Sequence, residues 1–204
     1  MVRSRIVQWK RVLLMLVAGI GLALAGCTYK STPDPSVSGR DAEWMAQMPN
    51  ADVGLEFERY LIDDPTGEAP GTIVVDQKKK LLYYVLPDKK AMRYGVAVGD
   101  EAYGWTGEAT IRRKAEWPNW NPPAEMVKRW PHVHPVSGGP LNPLGARALY
   151  LYDAQGRDTL YRIHGTNEPE KIGRAVSSGC IRMRNIDVID LYNRVDPGAR
   201  VVVK

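Results

Sequence analysis

IHGTN at residues 163–167 and SSGCIRM at residues 177–183 are the two segments that decide how this chain folds and what chemistry it carries. The β-branched and aromatic run that ends at His164 predicts a strand with an imidazole at its end. Cys180 follows sixteen residues later, directly after a glycine that allows a tight turn. A thiol is only slightly ionised at neutral pH unless a base such as imidazole activates it. His164 and Cys180 are therefore a candidate base and nucleophile. The alternative is that they are a buried cysteine and a core histidine with no relation to each other, since both residue types are common in protein cores.

The pattern around these segments predicts a mostly β domain. Asn185 is a plausible N-cap of one short helix after Cys180, and Val188, Leu191, Tyr192 and Val195 mark its apolar face. The predicted strands are Thr72–Asp76, Lys80–Leu86, Met92–Val98, Glu108–Arg113, Leu149–Tyr152, Thr159–His164 and Ala199–Val203. The polar residues 76–79 fit a hairpin between the first two strands.

A long loop rich in Pro, Gly and Trp is predicted for residues 115–147. Loops of this length in a compact domain are usually functional. Trp117 and Trp120 could line a cleft or simply cover one end of the sheet, whereas Met126 and Trp130 are interpreted as packing residues. His132 and His134 lack a third ligand at useful spacing, so we expect no metal site.

The N-terminal residues 1–26 have the pattern of an export signal. Four basic residues precede the apolar run Val12–Ala25, which is shorter than a comfortable membrane span. The run ends in Leu24-Ala25-Gly26-Cys27, which resembles the lipobox of bacterial lipoproteins, where the thiol of the cysteine is acylated; an ordinary secretory peptide is the alternative. Thr28 follows Cys27, and by resemblance to the sorting rule of enteric bacteria this indicates the outer membrane. We therefore expect a periplasmic protein held by lipid on Cys27.

The rest of the chain divides into three parts by composition. Residues 27–40 are rich in Ser and Pro and predict a flexible tether, residues 41–71 an N-terminal extension, and residues 72–204 the catalytic domain. The formal net charge of +5 comes largely from the four basic residues within 1–26. The remaining chain is almost neutral, so nucleic acid is not an expected partner.

The two segments together resemble the catalytic motif of the L,D-transpeptidase (YkuD/ErfK) family, a histidine followed by a Ser/Thr-x-Gly-Cys loop. The resemblance covers the chain from about Thr72 to Lys204 and implies that family's β-sandwich or barrel domain. It implies that Cys180 is the nucleophile, that His164 is the general base, and that the Gly165 carbonyl orients the imidazole. Ser178 stands where the family more often has a second histidine.

The resemblance also suggests roles for the neighbouring residues. The amides of Gly179 and Cys180 are candidate oxyanion donors, with Ser177 supporting the turn. Arg182 could bind a substrate carboxylate or form a structural ion pair. Trp117 and Trp120 belong to a segment that resembles the family's cleft lining.

The activity implied by the resemblance is acyl transfer on peptidoglycan stem peptides, without a cofactor. The acceptor amine would belong to another stem, giving a 3→3 cross-link, or to an outer-membrane protein, giving a wall anchor. Two alternatives stay open: a hydrolase of the same family, and a wall-binding lipoprotein without enzymatic activity.

Overall fold

The structure is a computed structural model that describes residues 29–100 and 104–204. Its strands are β1 (Lys30–Ser31), β2 (Tyr60–Asp63), β3 (Ile73–Asp76), β4 (Leu81–Leu86), β5 (Lys90–Gly95), β6 (Val98–Gly99), β7 (Gly107–Glu116), β8 (Arg147–Tyr152), β9 (Asp158–His164), β10 (Ala175–Ser177), β11 (Ile181–Arg182) and β12 (Arg200–Val203). Its α-helices are α1 (Gly39–Met45), α2 (Ala124–Arg129) and α3 (Asn185–Arg194), and short 3₁₀ turns span Leu55–Phe57 and Pro169–Lys171. The expected mostly β fold is confirmed.

Ten of these strands form one large mixed sheet in the order β1-β2-β5-β4-β3-β12-β7-β8-β9-β11. The hairpin predicted around residues 76–79 is present, since β3 and β4 pair antiparallel. The last strand, β12, joins the two halves of the sheet by pairing parallel to β3 and antiparallel to β7. At the far edge, β11 lies parallel to β9, which brings the two sequence segments around His164 and Cys180 side by side.

The main core lies between the sheet and α3. Alternate residues of β12 face it, because Val201 and Val203 are buried while Val202 is only partly covered. Val188 and Leu191 pack into the same core from the helix, Tyr192 lies at its margin, and Val195 packs there from the extended residue directly after the helix. The predicted apolar face of α3 is therefore confirmed, and burial of these side chains fixes the helix directly behind β8 and β9.

A second, two-stranded sheet supports the loop that carries the cysteine. In this sheet β6 and β10 pair parallel, with Ser177 aligned to Gly99. The Asp100 amide donates to the Ser177 carbonyl at 3.1 Å. The chain of Gly99 approaches Gly179 so closely that a Cβ on Gly99 would lie 3.0 Å from the Gly179 Cα. The backbone before Cys180 is thus held by a neighbouring strand.

The prediction that residues 27–40 form a flexible tether is wrong for part of the segment that the structure describes. Lys30 and Ser31 pair with β2 as an edge strand, and α1 already begins at Gly39. The buried Arg59 explains this docking, because its guanidinium donates to the Pro33 carbonyl at 2.9 Å and binds the Asp34 carboxylate at 2.8 Å. A buried guanidinium needs such acceptors, and the tether supplies them.

The N-terminal extension predicted for residues 41–71 packs on the domain and adds β2 to the main sheet. The Asp41 carboxylate binds both terminal nitrogens of Arg147 at 2.9 and 2.6 Å. Trp44 meets Trp117 edge to face, with ring centroids 5.0 Å apart. Because Arg147 begins β8, these contacts tie α1 to the strand that pairs with β9.

The loop expected over residues 115–147 is more regular than its composition indicates. Strand β7 continues to Glu116, and the six-residue helix α2 begins after Pro123. A helix this short shows less than two turns of periodicity, so its pattern is hard to recognise. In the described ranges, no helix is long and apolar enough to cross a membrane.

Candidate active site

His164 is the last residue of β9, and its ring is oriented by the next residue. Its Nδ1 lies 2.6 Å from the Gly165 carbonyl oxygen. A carbonyl oxygen only accepts hydrogen bonds, so Nδ1 carries the proton and Nε2 keeps its lone pair. The side chain is buried, with the residue 4% exposed. The imidazole is therefore fixed in the tautomer that can accept a proton at Nε2.

The surroundings of His164 also keep its ring neutral. Burial lowers the pKa of His164 to about 3, and the charge of Arg182 acts in the same direction. The hydrogen bond to Gly165 favours the protonated ring but does not outweigh burial. At neutral pH the imidazole is uncharged and ready to act as a base.

Cys180 lies directly before β11, beside the strand that ends at His164. Arg182 aligns with His164 and Ile181 with Ile163 across the parallel pair. Side chains alternate along a strand, so Arg182 lies on the face of His164, opposite the buried Ile181. The topology thus brings the predicted nucleophile and base to one edge of the sheet.

The surroundings of Cys180 favour its neutral thiol over the thiolate. Its burial raises the pKa, while a backbone hydrogen bond from Arg162 and the charges of Arg162 and Arg182 partly oppose this effect. The thiol group approaches the Leu160 carbonyl, with Sγ 4.0 Å from the oxygen. Leu160 has φ of 63°, a left-handed conformation that is costly for leucine. This strained residue lies next to the candidate nucleophile.

The turn before Cys180 is held by the Ser177 hydroxyl. This hydroxyl donates to the Cys180 carbonyl at 2.6 Å and accepts the Gly179 amide at 3.2 Å. Gly179 has φ of 112°, which requires glycine and confirms the predicted tight turn. The Gly179 amide is therefore already engaged, and its expected role as an oxyanion donor is not supported by this geometry. The Cys180 amide remains the candidate.

Arg182 forms the structural ion pair that was one of its two predicted roles. Its Nη1 lies 2.9 Å from Glu168 Oε2, and Glu168 also binds Lys171. The guanidinium is partly exposed and lines the adjoining cleft together with Ser178. The charge of Arg182 thus lowers the pKa of His164, and its guanidinium also faces the cleft.

Arg162 is a site residue that the sequence reasoning missed. It lies on β9 two residues before His164, binds both oxygens of Asp158 at 2.7 and 2.8 Å, and packs over the Tyr150 ring. The charge of Arg162 and the hydrogen bond from its backbone amide both lower the pKa of the Cys180 thiol. Period-two alternation places residue 162 on the face of residue 164, and that signal could have indicated it.

A cleft of about 600 Å³ opens beside the cysteine loop. Its two walls are the segment Val176–Ser178 with Arg182, and the helix α2 with the residues that flank it. The lining residues are Asp100, Pro123, Glu125, Met126, Arg129, Trp130, Val176, Ser177, Ser178 and Arg182. Met126 and Trp130, interpreted from sequence as packing residues, therefore line the cleft, and Trp130 is 43% exposed.

Trp117 was predicted as a cleft residue, and this is wrong. It is buried in a separate small core with Ala146 and Ile189, and its Nε1–H donates to Asp41 at 2.7 Å. Trp120 does not line the cleft either, since it bridges to Val136 within its own loop. The alternative interpretation was that these tryptophans cover one end of the sheet. It fits Trp117, because α1 packs against this residue and its Asp41 accepts the indole N–H.

The remaining site predictions concern a metal site and the lipid-bearing cysteine. Within residues 29–100 and 104–204, no cluster of three or more His, Cys, Asp or Glu side chains could hold a metal ion. Cys180 is the free cysteine of this described part. The predicted lipid site Cys27 and the signal segment 1–26 lie outside the described residues.

Comparison with known proteins identifies the domain that carries this site. Residues 70–203 match the family model described as YkuD, the L,D-transpeptidase catalytic domain. The chain belongs to the L,D-transpeptidase (YkuD) family. Members of this family are enzymes, and the resemblance inferred from the two sequence segments is confirmed.

Curated relatives agree with this assignment. The chain is 38% identical over 141 residues to ErfK/SrfK of Escherichia coli K12, named a probable L,D-transpeptidase, covering 64% of this chain and 43% of that protein. It is 36% identical over 145 residues to YqjB of Bacillus subtilis 168, which is also named as an L,D-transpeptidase, covering 68% and 76%. The chain spans about half the length of the first curated relatives it matches.

Among solved structures, one is similar to this chain in sequence and another in fold alone. A Brucella melitensis protein, named a probable carnitine operon oxidoreductase, is 46% identical with a TM-score of 0.51, covering 74% of this chain and 96% of that one. An L,D-transpeptidase from Mycobacterium smegmatis has a TM-score of 0.52 at 14% identity, covering 72% and 67%. At that identity the second match shows a shared fold alone, and it agrees with the mostly β architecture.

Proposed function

We propose that this chain is a peptidoglycan L,D-transpeptidase that transfers an acyl group through Cys180. The observation that carries the proposal is the Nδ1–H hydrogen bond from His164 to Gly165, at 2.6 Å, which leaves Nε2 free to take a proton. Family membership supplies the reaction class, and the pairing of β9 with β11 brings the segment that carries Cys180 beside the strand that ends at His164.

In the first step His164 Nε2 takes the thiol proton while Cys180 Sγ attacks a carbonyl carbon. The carbonyl belongs to the third residue of a tetrapeptide stem, and its oxygen becomes the oxyanion near the Cys180 amide. The C–N bond to the terminal D-Ala then breaks, and the imidazolium returns the proton to the leaving amine. The products of this step are free D-Ala and a thioester on Cys180.

In the second step an acceptor amine attacks the thioester carbonyl and gives its proton to His164 Nε2. The C–S bond breaks, the new amide forms, and the proton returns to the Cys180 sulfur. Each proton and electron pair is accounted for by the substrate and these two side chains, so no cofactor takes part in the proposed steps. The amine would come from another stem or from an outer-membrane protein.

The cleft between α2 and residues 176–178 is the proposed place for the stem peptide. Trp130 and Val176 offer apolar surface, while Arg182 offers a cation near the candidate base. Peptide stems combine carboxylates with aliphatic chains, and this lining has groups for both.

We also propose that Cys27 is acylated and holds the domain at the outer membrane on the periplasmic side. The support for this is the apolar run that leads into Leu24-Ala25-Gly26-Cys27 and the presence of Thr28, not Asp, directly after Cys27. Labelling cells with a lipid precursor and comparing the native chain with Cys27→Ser tests the anchor.

Mass spectrometry of sacculus fragments incubated with the purified chain tests the reaction. A transpeptidase yields 3→3 cross-linked dimers or stems joined to a protein amine, together with free D-Ala. Accumulation of uncross-linked tripeptide stems would instead assign the same site to a hydrolase. Unchanged fragments, with the chain bound to the wall, would assign a binding role and contradict the proposal.

A further inference from the structure

Asn185, at the start of α3, joins this helix to two other backbone segments through one amide group. Its Oδ1 accepts the Ala146 amide at 2.9 Å and the Thr166 amide at 3.3 Å, and its Nδ2 donates to the Thr166 carbonyl at 2.7 Å. The N-cap predicted at Asn185 is wrong, because Arg184 occupies that position. The amide turns away from its own helix and bonds to the backbone that follows His164.

One of these bonds is made to the peptide unit that orients the candidate base. The Thr166 N–H and the Gly165 carbonyl belong to the same planar peptide unit, in which the two groups point in opposite directions. Asn185 holds the N–H side, and His164 Nδ1 donates to the carbonyl side at 2.6 Å. Rotation of this unit would break both contacts together.

The packing around Asn185 leaves this peptide little freedom. A Cβ on Gly165 would lie 2.1 Å from Asn185 Oδ1, and a Cβ on Gly145 would lie 2.2 Å from the same atom. The Gly165 amide is also held, since it donates to the Arg147 carbonyl at 3.0 Å. The two glycines therefore make room for the amide, and the amide fills the space into which the Gly165 backbone could otherwise shift.

We propose that Asn185 is a positioning residue for His164. It acts through the Gly165–Thr166 peptide and keeps the proton on Nδ1, so that Nε2 faces the reaction as a base. The inference rests on the proposed function for the meaning of that tautomer, but the tautomer itself can be measured without any substrate. The nearby Met48 sulfur, 3.3 Å from Asn185 Nδ2, adds a contact from the N-terminal extension.

Nitrogen-15 NMR of the imidazole rings tests the inference, with the His164 signals assigned by their loss in His164→Gln. The native chain should show protonated Nδ1 and bare Nε2 across neutral and mildly acidic pH. In Asn185→Ala the Gly165 carbonyl is no longer held in place, so the ring should populate the Nε2–H tautomer.

Tyr94→Phe, in β5, is the matched control because its hydroxyl contacts the same helix. Its hydroxyl donates to Asp190 at 2.6 Å in a buried position, so the variant loses one buried polar contact with α3 but none near Gly165. The control should keep the native His164 signals. If Asn185→Ala does not fold, Asn185→Leu, which has a similar size and no acceptor, carries the same test.

Native imidazole signals in a folded Asn185→Ala or Asn185→Leu chain would overturn the positioning role, whatever the reaction is. A variant that changes the tautomer should also lose kcat/KM at least tenfold. Failure of the proposed function would appear differently, as unchanged activity in Cys180→Ala, and it would leave the NMR result intact.

Discussion

The Ser177 hydroxyl donates to the carbonyl of Cys180, 2.6 Å away, and so closes the turn that presents the candidate nucleophile. The same oxygen accepts the amide of Gly179. One small buried side chain thus satisfies two backbone groups in the turn between β10 and β11.

Ser177→Ala should loosen this turn, because it leaves the buried Gly179 amide and the Cys180 carbonyl without this partner. We expect a loss of about 1–3 kcal/mol in the free energy of unfolding and a clear loss of kcat/KM. Urea unfolding and a D-Ala release assay measure the two effects. Ser177→Thr, which keeps the hydroxyl, should recover most of both, and Ser178→Ala, at an exposed position, should unfold like the native chain. Equal stability of Ser177→Ala and Ser178→Ala would contradict this role.

Burial of a neutral His164 should make the stability of the fold depend on pH. The folded-state pKa is about 3 and the ordinary value is 6.5, so the unfolded chain binds the extra proton first as the pH falls. Because of His164, the free energy of unfolding should therefore fall by about 1.4 kcal/mol for each pH unit as the pH decreases from roughly 6 to 4. Above pH 6.5 its contribution should be constant.

Urea unfolding at several pH values compares the native chain with His164→Gln and His132→Gln. The first variant should lose the part of the slope due to His164, whereas the second, at an exposed histidine, should keep it. Parallel curves for the native chain and His164→Gln would show that the buried ring does not titrate as described.

Arg162 should lower the pKa of the Cys180 thiol by its charge. In Arg162→Met the backbone hydrogen bond remains but the charge is gone, so iodoacetamide should alkylate the Cys180 peptide with a midpoint at higher pH. Arg113 is the matched control, since its guanidinium lies 4.2 Å from the Tyr150 ring centroid and that of Arg162 lies 4.4 Å from it. Arg113→Met should leave the midpoint unchanged, and an unchanged midpoint in both variants would exclude the electrostatic role.

Asp41→Asn should release part of the N-terminal extension from the domain. The change removes the closer carboxylate from the guanidinium of Arg147, which is 5% exposed, and leaves it the more distant carboxylate of Glu116 at 3.9 Å. We expect the free energy of unfolding to fall by about 3 kcal/mol, as measured in urea. Glu125→Gln, which breaks an ion pair between two highly exposed side chains, should cost less than about 1 kcal/mol. Similar losses in the two variants would argue against a structural role for Asp41.

The sequence predicted the strands around the site well because burial imposes a strict alternation on them. His164 at the end of β9, Gly165 as its carbonyl partner and the tight turn at Gly179 all follow from local pattern or family resemblance. The placement of Trp117 could not be predicted in this way. Its environment depends on Asp41 and Trp44, which are more than seventy residues away in the chain.

Asn185 shows the same limit in a different form. A polar residue before an apolar helical pattern indicates an N-cap, and local sequence offers no reason to expect otherwise. Its true partners, Ala146 and Thr166, become neighbours only after α3 packs behind β8 and β9. Side-chain bonds to distant backbone are fixed by tertiary packing, which single-sequence patterns do not contain.

Intact-mass analysis of the purified chain with a carbapenem tests the central claim most directly. The strained lactam carbonyl offers an electrophile to the same thiol, so we predict one adduct per native chain, located on Cys180 by peptide mapping. Cys180→Ala should fold normally, carry no adduct and release no D-Ala from tetrapeptide stems. An adduct or D-Ala release that persists in Cys180→Ala would contradict the account.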